Sequence, residues 1–306
     1  MTAGWREELD AAFPGRIRRD APLAPFTTYR IGGPADALFE PGSAEDVQQA
    51  LAVVRRDGVP WMVLGLGSNV LVADAGWRGL VLRMGRAMAA VERDGALWQV
   101  GAGLPTPLLA RRSAAEGAGG VHRLVGVPGT VGGGVYMNAG AHGQEFRQVV
   151  RQVTLVNAAG AVEERAGAAV PWAYRSSGLG GVVVLGATIE LEEADPDRLK
   201  AEIEDNLRWR KTGTPFNEPC CGSVFRNPPG AGKGEARTAG QLIHACGMKG
   251  FRVGGAEVSR VHANYIVNVG GATAADVRAV IDAVRRRVND EFGVGLELEV
   301  KVTEDR

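Results

Sequence analysis

The residues of this chain best suited to chemistry lie in four short segments. They are Tyr174-Arg175-Ser176-Ser177, Cys221-Gly222-Ser223-Val224-Phe225-Arg226-Asn227-Pro228, His262-Ala263-Asn264-Tyr265-Ile266-Val267-Asn268 and Glu297-Leu298-Glu299. Arg175 carries a permanent cation with a planar fork of donors, the geometry that grips a carboxylate. Ser223 offers a hydroxyl proton, and Glu299 donates a hydrogen bond only if its pKa is raised. Such a set can stabilise negative charge beside a carboxylate and deliver a proton to carbon. Each member also has a plain structural account. Arg175 reads as an ion-pair partner, Ser223 as a turn residue after glycine, and His262 and Asn264 as hydrogen-bonded supports of the strand that follows. Glu297 and Glu299, two apart on a strand, share one face, most simply the solvated one.

Two glycine-rich segments extend the chemistry. Residues 124–143 read LVGVPGTVGGGVYMNAGAHG, with glycine at 126, 129, 132, 133, 134, 140 and 143, and residues 64–71 read LGLGSNVL. Glycine loses the most freedom on folding, so a dense run implies a purpose. The simplest is a set of bare N–H groups that a ligand can approach closely. Two such segments about sixty residues apart point to one long anionic ligand held by main-chain donors, as diphosphates commonly are. A dinucleotide fits that description. Gly65-Leu66-Gly67-Ser68-Asn69-Val70 lacks the third glycine of the Rossmann fingerprint, and no clear helical pattern follows it.

Composition narrows the class. At 306 residues the chain predicts two or three packed units. Its 45% hydrophobic and 23% charged content is that of a soluble globular enzyme. Basic and acidic residues balance at 35 each, which leaves no basic excess for a nucleic-acid partner. No apolar run reaches the length of about 18 residues that a membrane span needs. The opening MTAGWREELDAAF reads as an amphipathic helix and not a secretory signal, so a cytoplasmic location is expected. Cys220, Cys221 and Cys246, with His122, His142, His244 and His262, show no metal-ligand spacing, and no metal is expected.

The elements that must position these groups follow from periodicity and caps. Ser43 to Asp46 resembles a capping box before Val47, Leu51 and Val54, with Gly58 as terminator. Trp61 to Leu64 is a short buried strand running into the first glycine loop. Strand-like runs recur at 81–83, 97–102, 153–157 and 182–191, with a helix over 105–116, which predicts an α+β unit with a mixed sheet. Asp195-Pro196 opens a helix with one apolar face, Leu199, Ile203 and Leu207. The domain boundary is expected there, giving regions 1–195, in sub-parts of about 1–80 and 81–195, and 196–306. Gly230 to Gly234 resembles a P-loop only superficially, because Gly234 follows Lys233 where Ser or Thr is needed. Thr273 caps a helix over 273–292, and Leu296 to Val302 reads as a closing strand.

Taken together, these segments resemble the UDP-N-acetylenolpyruvoylglucosamine reductases, flavoenzymes that complete UDP-N-acetylmuramic acid for peptidoglycan. The resemblance runs from Thr27-Thr28-Tyr29-Arg30-Ile31-Gly32-Gly33-Pro34-Ala35 through Glu299. It includes G-x-G-S-N-x-L, G-[IV]-P-G-T-V-G-G, M-N-A-G-A-x-G, Y-R-x-S, G-S-V-F-[KR]-N-P, A-G-x-L-I, G-x-K-G, H-A-N-[FY]-I-V-N and E-V-[RK], in the family's order. Any one is weak, and the ordered set is specific. It implies an FAD-binding region of the PCMH/vanillyl-alcohol-oxidase type, followed by a C-terminal α+β substrate-binding domain.

The resemblance also implies roles. Non-covalent FAD, reduced by NADPH, passes hydride from N5 to C3 of an enolpyruvyl ether. Ser223 protonates C2, and Arg175 with Glu299 stabilises the enol-like intermediate. Tyr174, Arg175 and Asn227 fall at substrate contacts. Gly65, Leu66, Gly67, Ser68 and Asn69 fall on one FAD-binding segment, and Val127, Pro128, Gly129, Thr130, Gly132, Gly133, Asn138, Ala139, Gly140 and Gly143 on the other. His122 receives no role. The partner is a small molecule, UDP-N-acetylglucosamine enolpyruvate, and a monomer is expected. The chain departs from the commoner pattern at Lys301, where arginine is usual, at Arg226, where lysine is usual, and across Thr214-Pro215-Phe216-Asn217. The short segment after Arg175 marks the compact form, which lacks an inserted covering loop.

Two rivals stay open from sequence. One is an FAD-dependent oxidase or dehydrogenase of the same architecture, whose members often tether FAD through histidine or cysteine. Here the glycine loops hold no cysteine, and only His142 lies close. The other is a nucleotide-binding scaffold, which has no need of Arg175, Ser223 and Glu299 together.

Overall fold

The computed structural model describes residues 4–231 and 236–303, so most of the P-loop-like piece, residues 232–234, lies outside the described residues. The chain forms two compact units. The first comprises Met1–Ala21, Ala35–Leu66 and Arg78–Arg208, and the second Pro22–Pro34, Gly67–Trp77 and Trp209–Arg306.

In the first unit, α1 (Gly4–Ala12) and α2 (Ala44–Arg56) accompany a four-stranded sheet in the order Ile17–Pro22, Pro34–Phe39, Trp77–Arg83, Trp61–Leu64. Helix α2 starts where expected, because the Ser43 hydroxyl accepts the Asp46 N–H at 3.2 Å. Its stripe of Val47, Ala50, Leu51, Val53 and Val54 is buried with Trp5, Leu9, Phe39 and Leu80 in one apolar cluster. Trp61–Leu64 runs parallel to Trp77–Arg83, with Leu64 opposite Arg83.

The second sheet of this unit runs Val162–Ala166, Val150–Val156, Val183–Glu190, Leu97–Gly101, Val91–Asp94, and every pairing is antiparallel. The single mixed sheet expected from the 81–191 pattern is therefore two sheets, and the parallel pair belongs to the other one. Turn chemistry explains the difference. Asn157 Oδ1 accepts the N–H groups of Ala159 and Ala161, and Gly160 has φ +90, so strand 150–156 folds straight back onto 162–166. Helices α3 (Thr106–Ala115) and α4 (Val131–Met137) complete the unit, together with most of α5 (Pro196–Gly213). Asp195 Oδ1 accepts the Asp197 N–H at 2.9 Å at the start of α5. Leu199 and Ile203 of α5 pack with Ala110, Ala114 and Val125.

The second unit holds α6 (Ala239–Ala245), α7 (Ala274–Phe292) and a three-stranded sheet of Arg252–Val253, Ala256–Val258 and Ile266–Asn268. Thr273 and Asp276 form a reciprocal capping box on α7. Asp74 adds a second cap, accepting the Ala274 and Ala275 N–H groups at 2.7 and 3.0 Å. Val277, Val280, Ile281, Val284 and Val288 are buried, as their spacing predicts. The C-terminal strand is shorter than expected. Only Lys301–Val302 pairs as a strand, parallel to Val70–Leu71, while Leu298 bridges Phe225 singly. Leu296–Val300 reads as strand because it alternates, yet its backbone bonds go to a neighbouring loop: Arg226 donates to Glu297 O, and Glu299 donates to Val224 O. Among the described residues, no helix is long and apolar enough to cross a membrane.

Candidate active site

Gly65 of one glycine segment meets Thr130 of the other inside the first unit. Gly65 follows strand 61–64 directly, and a Cβ on it would lie 2.6 Å from Thr130 Oγ1 and 3.1 Å from Thr130 Cγ2. Thr130 in turn caps α4, its hydroxyl accepting the Gly133 N–H at 3.4 Å. The segment expected to be a loop thus contains a helix, Val131–Met137, despite three consecutive glycines. Tertiary packing overrides their low propensity. A Cβ on Gly132 would stand 2.8 Å from Ala102 Cβ, and one on Gly134 would stand 2.3 Å from the Phe146 ring, so the helix sits closer to its neighbours than alanine permits.

This packing corrects the expectation of a run of free N–H groups. Val131 donates to Leu104 O, Gly132 to Ala102 O, Gly134 to Thr130 O and Ala139 to Gly134 O. Gly140–Ala141 and Gln144–Glu145 form a hairpin whose turn residues, His142 and Gly143, both have positive φ, 51° and 78°. What stays open is narrower. The Gly129 and Thr130 amides have no acceptor among the described residues, although Thr130 is 2% exposed. A buried amide of that kind calls for a partner. Gly133 is exposed, and nothing lies nearer its Cβ position than Thr130 Oγ1 at 3.7 Å. Pro128 is also exposed, Val127 half-buried and Leu66 exposed.

Arg175 belongs to this unit as well. Ala173 and Ser176 exchange backbone hydrogen bonds, so Tyr174 and Arg175 form the tip of a tight turn, with Arg175 at φ +56. Its guanidinium donates to Gly140 O at 3.0 Å, stands 3.8 Å from Glu145 Oε1, and lies over the Tyr174 ring at 4.8 Å. Tyr174 is exposed and Arg175 half-buried. Asn138 ties this turn to the end of α4. Fully buried and at φ +43, it donates to Ala173 O at 3.0 Å and to Glu145 Oε2 at 3.3 Å, and accepts the Arg147 N–H. Ser177 closes the same junction by donating to Tyr136 O at 2.7 Å.

The second unit gathers Ser223 and Glu299. The Val224 peptide is held from both sides: its N–H donates to Asn264 O at 2.9 Å, and its C=O accepts the Glu299 N–H at 2.8 Å. Ser223 and Glu299 therefore occupy adjacent stretches of backbone. Asn69 joins them, donating from Nδ2 to Glu299 O at 3.3 Å and accepting the Lys301 N–H. Gly67, at φ +62, turns the chain before Asn69, where a Cβ would meet Phe26 O at 2.2 Å. Ser68 is half-buried. Glu297 and Glu299 do not share a solvated face: the Glu297 side chain is 80% exposed, whereas Glu299 is half-buried. Asn227 is exposed, and its Oδ1 accepts the Ala239 N–H at the start of α6.

Sequence reasoning gave no role to several residues that surround Ser223. Tyr265 is buried, with its hydroxyl in the neighbourhood of Ser223. Burial pushes that hydroxyl up, the Arg210 cation opposes the rise, and Cys220 and Glu299 add to it. Burial likewise pushes the Cys221 thiol up to about 12 and raises Cys220. Cys221 faces the hydroxyl of fully buried Tyr29. An aromatic in an apolar strand reads as core, so nothing in the sequence distinguishes Tyr265. In the first unit, the missed residue is Glu145, which gathers Asn138, Arg147 and Arg175 around one carboxylate.

Comparison with known proteins gives this arrangement a family. The FAD binding domain family matches residues 35–165, and the UDP-N-acetylenolpyruvoylglucosamine reductase, C-terminal domain, family matches residues 214–303. UDP-N-acetylenolpyruvoylglucosamine reductase 2 of Symbiobacterium thermophilum is 43% identical over 94% of this chain and 92% of its own length. The reductase of Anaeromyxobacter dehalogenans is 44% identical over 97% of this chain and 89% of its own. The crystal structure of UDP-N-acetylenolpyruvylglucosamine reductase from Thermus caldophilus superposes with a TM-score of 0.81 at 35% identity, covering 94% of this chain and 99% of that one. The fold is thus α+β, an FAD-binding domain followed by the reductase C-terminal domain. With relatives of 43% and 44% identity aligned along nearly all of it, the chain belongs to the UDP-N-acetylenolpyruvoylglucosamine reductase family.

Proposed function

We propose that this protein reduces the enolpyruvyl group of UDP-N-acetylglucosamine enolpyruvate to the lactyl ether of UDP-N-acetylmuramate, with NADPH as reductant and non-covalent FAD as carrier. It acts as a cytoplasmic monomer on a small-molecule substrate of peptidoglycan synthesis. One observation carries the reading: the Val224 peptide holds Ser223 and Glu299 on adjoining backbone, fixed on one side by Asn264 and on the other by Glu299 itself. A proton donor and an acidic partner are held there without dependence on flexible side chains.

The residues present fit FAD. The unpartnered Gly129 and Thr130 amides suit phosphate oxygens, and the open Cβ position of Gly133 lets a ligand lie against bare backbone. Gly65 to Asn69 and the 127–143 segment are the residues we assign to holding it. When bound, FAD supplies hydride from N5 to C3 of the enolpyruvyl group and is recharged by NADPH.

The remaining chemistry belongs to side chains. Negative charge develops at C2 and its carboxylate, and Arg175 neutralises it with a fork already oriented by Gly140 O and the Tyr174 ring. Glu299, in its protonated form, donates a hydrogen bond to the enolate-like oxygen. Ser223 transfers its hydroxyl proton to C2. Tyr174 and Asn227 are assigned to substrate contact.

The test is product labelling. Turnover in heavy water should place one solvent deuterium at C2, with NADPH consumed one for one against the enolpyruvyl sugar. NADPH oxidation that ignores the enolpyruvyl sugar would favour an oxidase of the same architecture and overturn the reading.

A further inference from the structure

A fixed cation stabilises developing charge most when it is already in place as the charge appears. Arg175 sits at φ +56, a conformation that residues with side chains disfavour and that the surrounding structure must hold. Glu145 supplies that hold twice. It stands directly across its hairpin from Gly140, and its Oε1 lies 3.8 Å from Arg175 Nη1, while Arg175 Nη2 donates to Gly140 O at 3.0 Å. Its Oε2 accepts from Asn138 Nδ2 at 3.3 Å, and the same nitrogen donates at 3.0 Å to Ala173 O, on the backbone of the Arg175 turn. One carboxylate therefore reaches both the head of Arg175 and the base of its turn. Gly140 makes room for the meeting, since a Cβ there would stand 2.7 Å from Glu145 Cγ and 3.4 Å from Arg175 Nη1. The Glu145 and Arg175 side chains are only 19% and 20% exposed, so water and salt screen the pair little. Glu145 is itself pinned. Arg147 Nε lies 2.7 Å from Oε2, and Glu145 accepts the Gln148 N–H in a reciprocal capping box.

We propose that Glu145 is the positioning residue for Arg175: it fixes the direction of the guanidinium fork for the substrate carboxylate, and Arg147 offsets its charge so that Arg175 keeps its own. Two guanidinium groups against one carboxylate leave the cluster a net positive charge for an incoming anion. Glu145 moves no proton and touches no reacting atom. It acts through the arginine alone. The residue type follows from the two oxygens. Glutamine has one, and keeping it on Asn138 and Arg147 would turn an amide N–H2 toward the N–H groups of Arg175, donor against donor.

The inference rests on Arg175 stabilising charge at the substrate carboxylate, as proposed above, and the experiment separates the two. Glu145→Gln keeps the length of the side chain and an acceptor for Asn138 while removing the charge. In the FAD-loaded enzyme, flavin reoxidation by the enolpyruvyl sugar should slow about 10- to 100-fold, the range for a group displaced by up to about 1 Å. Flavin reduction by NADPH should stay at the wild-type rate. The thermal midpoint should fall by no more than about 4 °C, because the lost pair is partly solvated. Added to Arg175→Lys, Glu145→Gln should slow reoxidation by less than about twofold more, since the carboxylate acts only through the fork. Reoxidation at the wild-type rate in Glu145→Gln overturns the inference. So does a double variant that loses the product of the two single effects, and so does equal slowing of both half-reactions. A Glu145→Gln protein that unfolds or holds no flavin makes Glu145 part of the scaffold, which overturns it as well. Arg175→Lys turning over at the wild-type rate sinks the charge-stabilising role of Arg175 itself, whereas a slow Arg175→Lys beside a fully active Glu145→Gln removes only the role of Glu145.

Discussion

The α-carbon of Gly65 rests against the side chain of Thr130, so tightly that a Cβ would stand 2.6 Å from the threonine oxygen. Sixty-five residues of sequence separate the two, yet both lie in the first unit. Gly65→Ala should therefore push Thr130 from its cap. We expect a loss of about 1–3 kcal/mol of stability, the usual cost of overpacking, together with loss of bound flavin. Urea unfolding and the flavin absorbance of the purified variant measure both. A variant as stable and as yellow as the wild type would show that the contact relaxes freely.

Helix α4 separates two kinds of glycine. Gly134→Ala drives a methyl into the Phe146 ring, whereas Gly133→Ala meets only Thr130 Oγ1, at an ordinary contact distance of 3.7 Å. On helix propensity alone, each change should stabilise by about 1 kcal/mol. We predict that Gly133→Ala raises the thermal midpoint of the flavin-free protein but weakens FAD binding, and that Gly134→Ala lowers the midpoint. Gly133→Ala with unchanged FAD affinity would remove that residue from the cofactor site.

Arg175→Lys keeps the charge and loses the fork that joins Gly140 O. Turnover should fall by about 10²–10³, the usual cost of one preorganised charge-stabilising group. Thermal stability should change little, because the side chain is partly exposed at a turn tip. Equal losses in turnover and stability would make Arg175 a structural ion-pair partner instead.

Much of this was legible in the sequence, and the gaps have physical causes. The α2, α5 and α7 starts were readable because capping is local: Ser43, Asp195 and Thr273 each sit within three residues of the amide they satisfy. Helix α4 was not, since its stability comes from Ala102, Leu104 and Phe146, which are remote in sequence. The strand at 296–302 was overread because alternation records which side chains are buried and says nothing of where backbone donors go. Ser223, Arg175 and Glu299 stood out through their motifs. Tyr265 did not, because a tyrosine in an apolar run is indistinguishable from core.

His262 makes the second unit acid-sensitive. Burial, helped by the nearby Lys249 cation, holds its imidazole below the ordinary value of 6.5, and Nδ1 must stay unprotonated to accept the Asn264 N–H. Below that ordinary value the unfolded chain binds the proton more readily, so the stabilisation is complete above it and is lost as pH falls toward the depressed folded value. Thermal midpoints should drop between about pH 7 and pH 5 in the wild type, and less steeply in His262→Gln. Identical slopes in both would assign the acid sensitivity elsewhere.

The central claim concerns the serine proton, and rapid mixing of the two half-reactions in Ser223→Ala addresses it most directly. The account predicts that NADPH bleaches the flavin at the wild-type rate, while reoxidation by the enolpyruvyl sugar slows by about 10²–10⁴, the range for a lost general acid. Equal slowing of both half-reactions, or reoxidation at the wild-type rate, would contradict it.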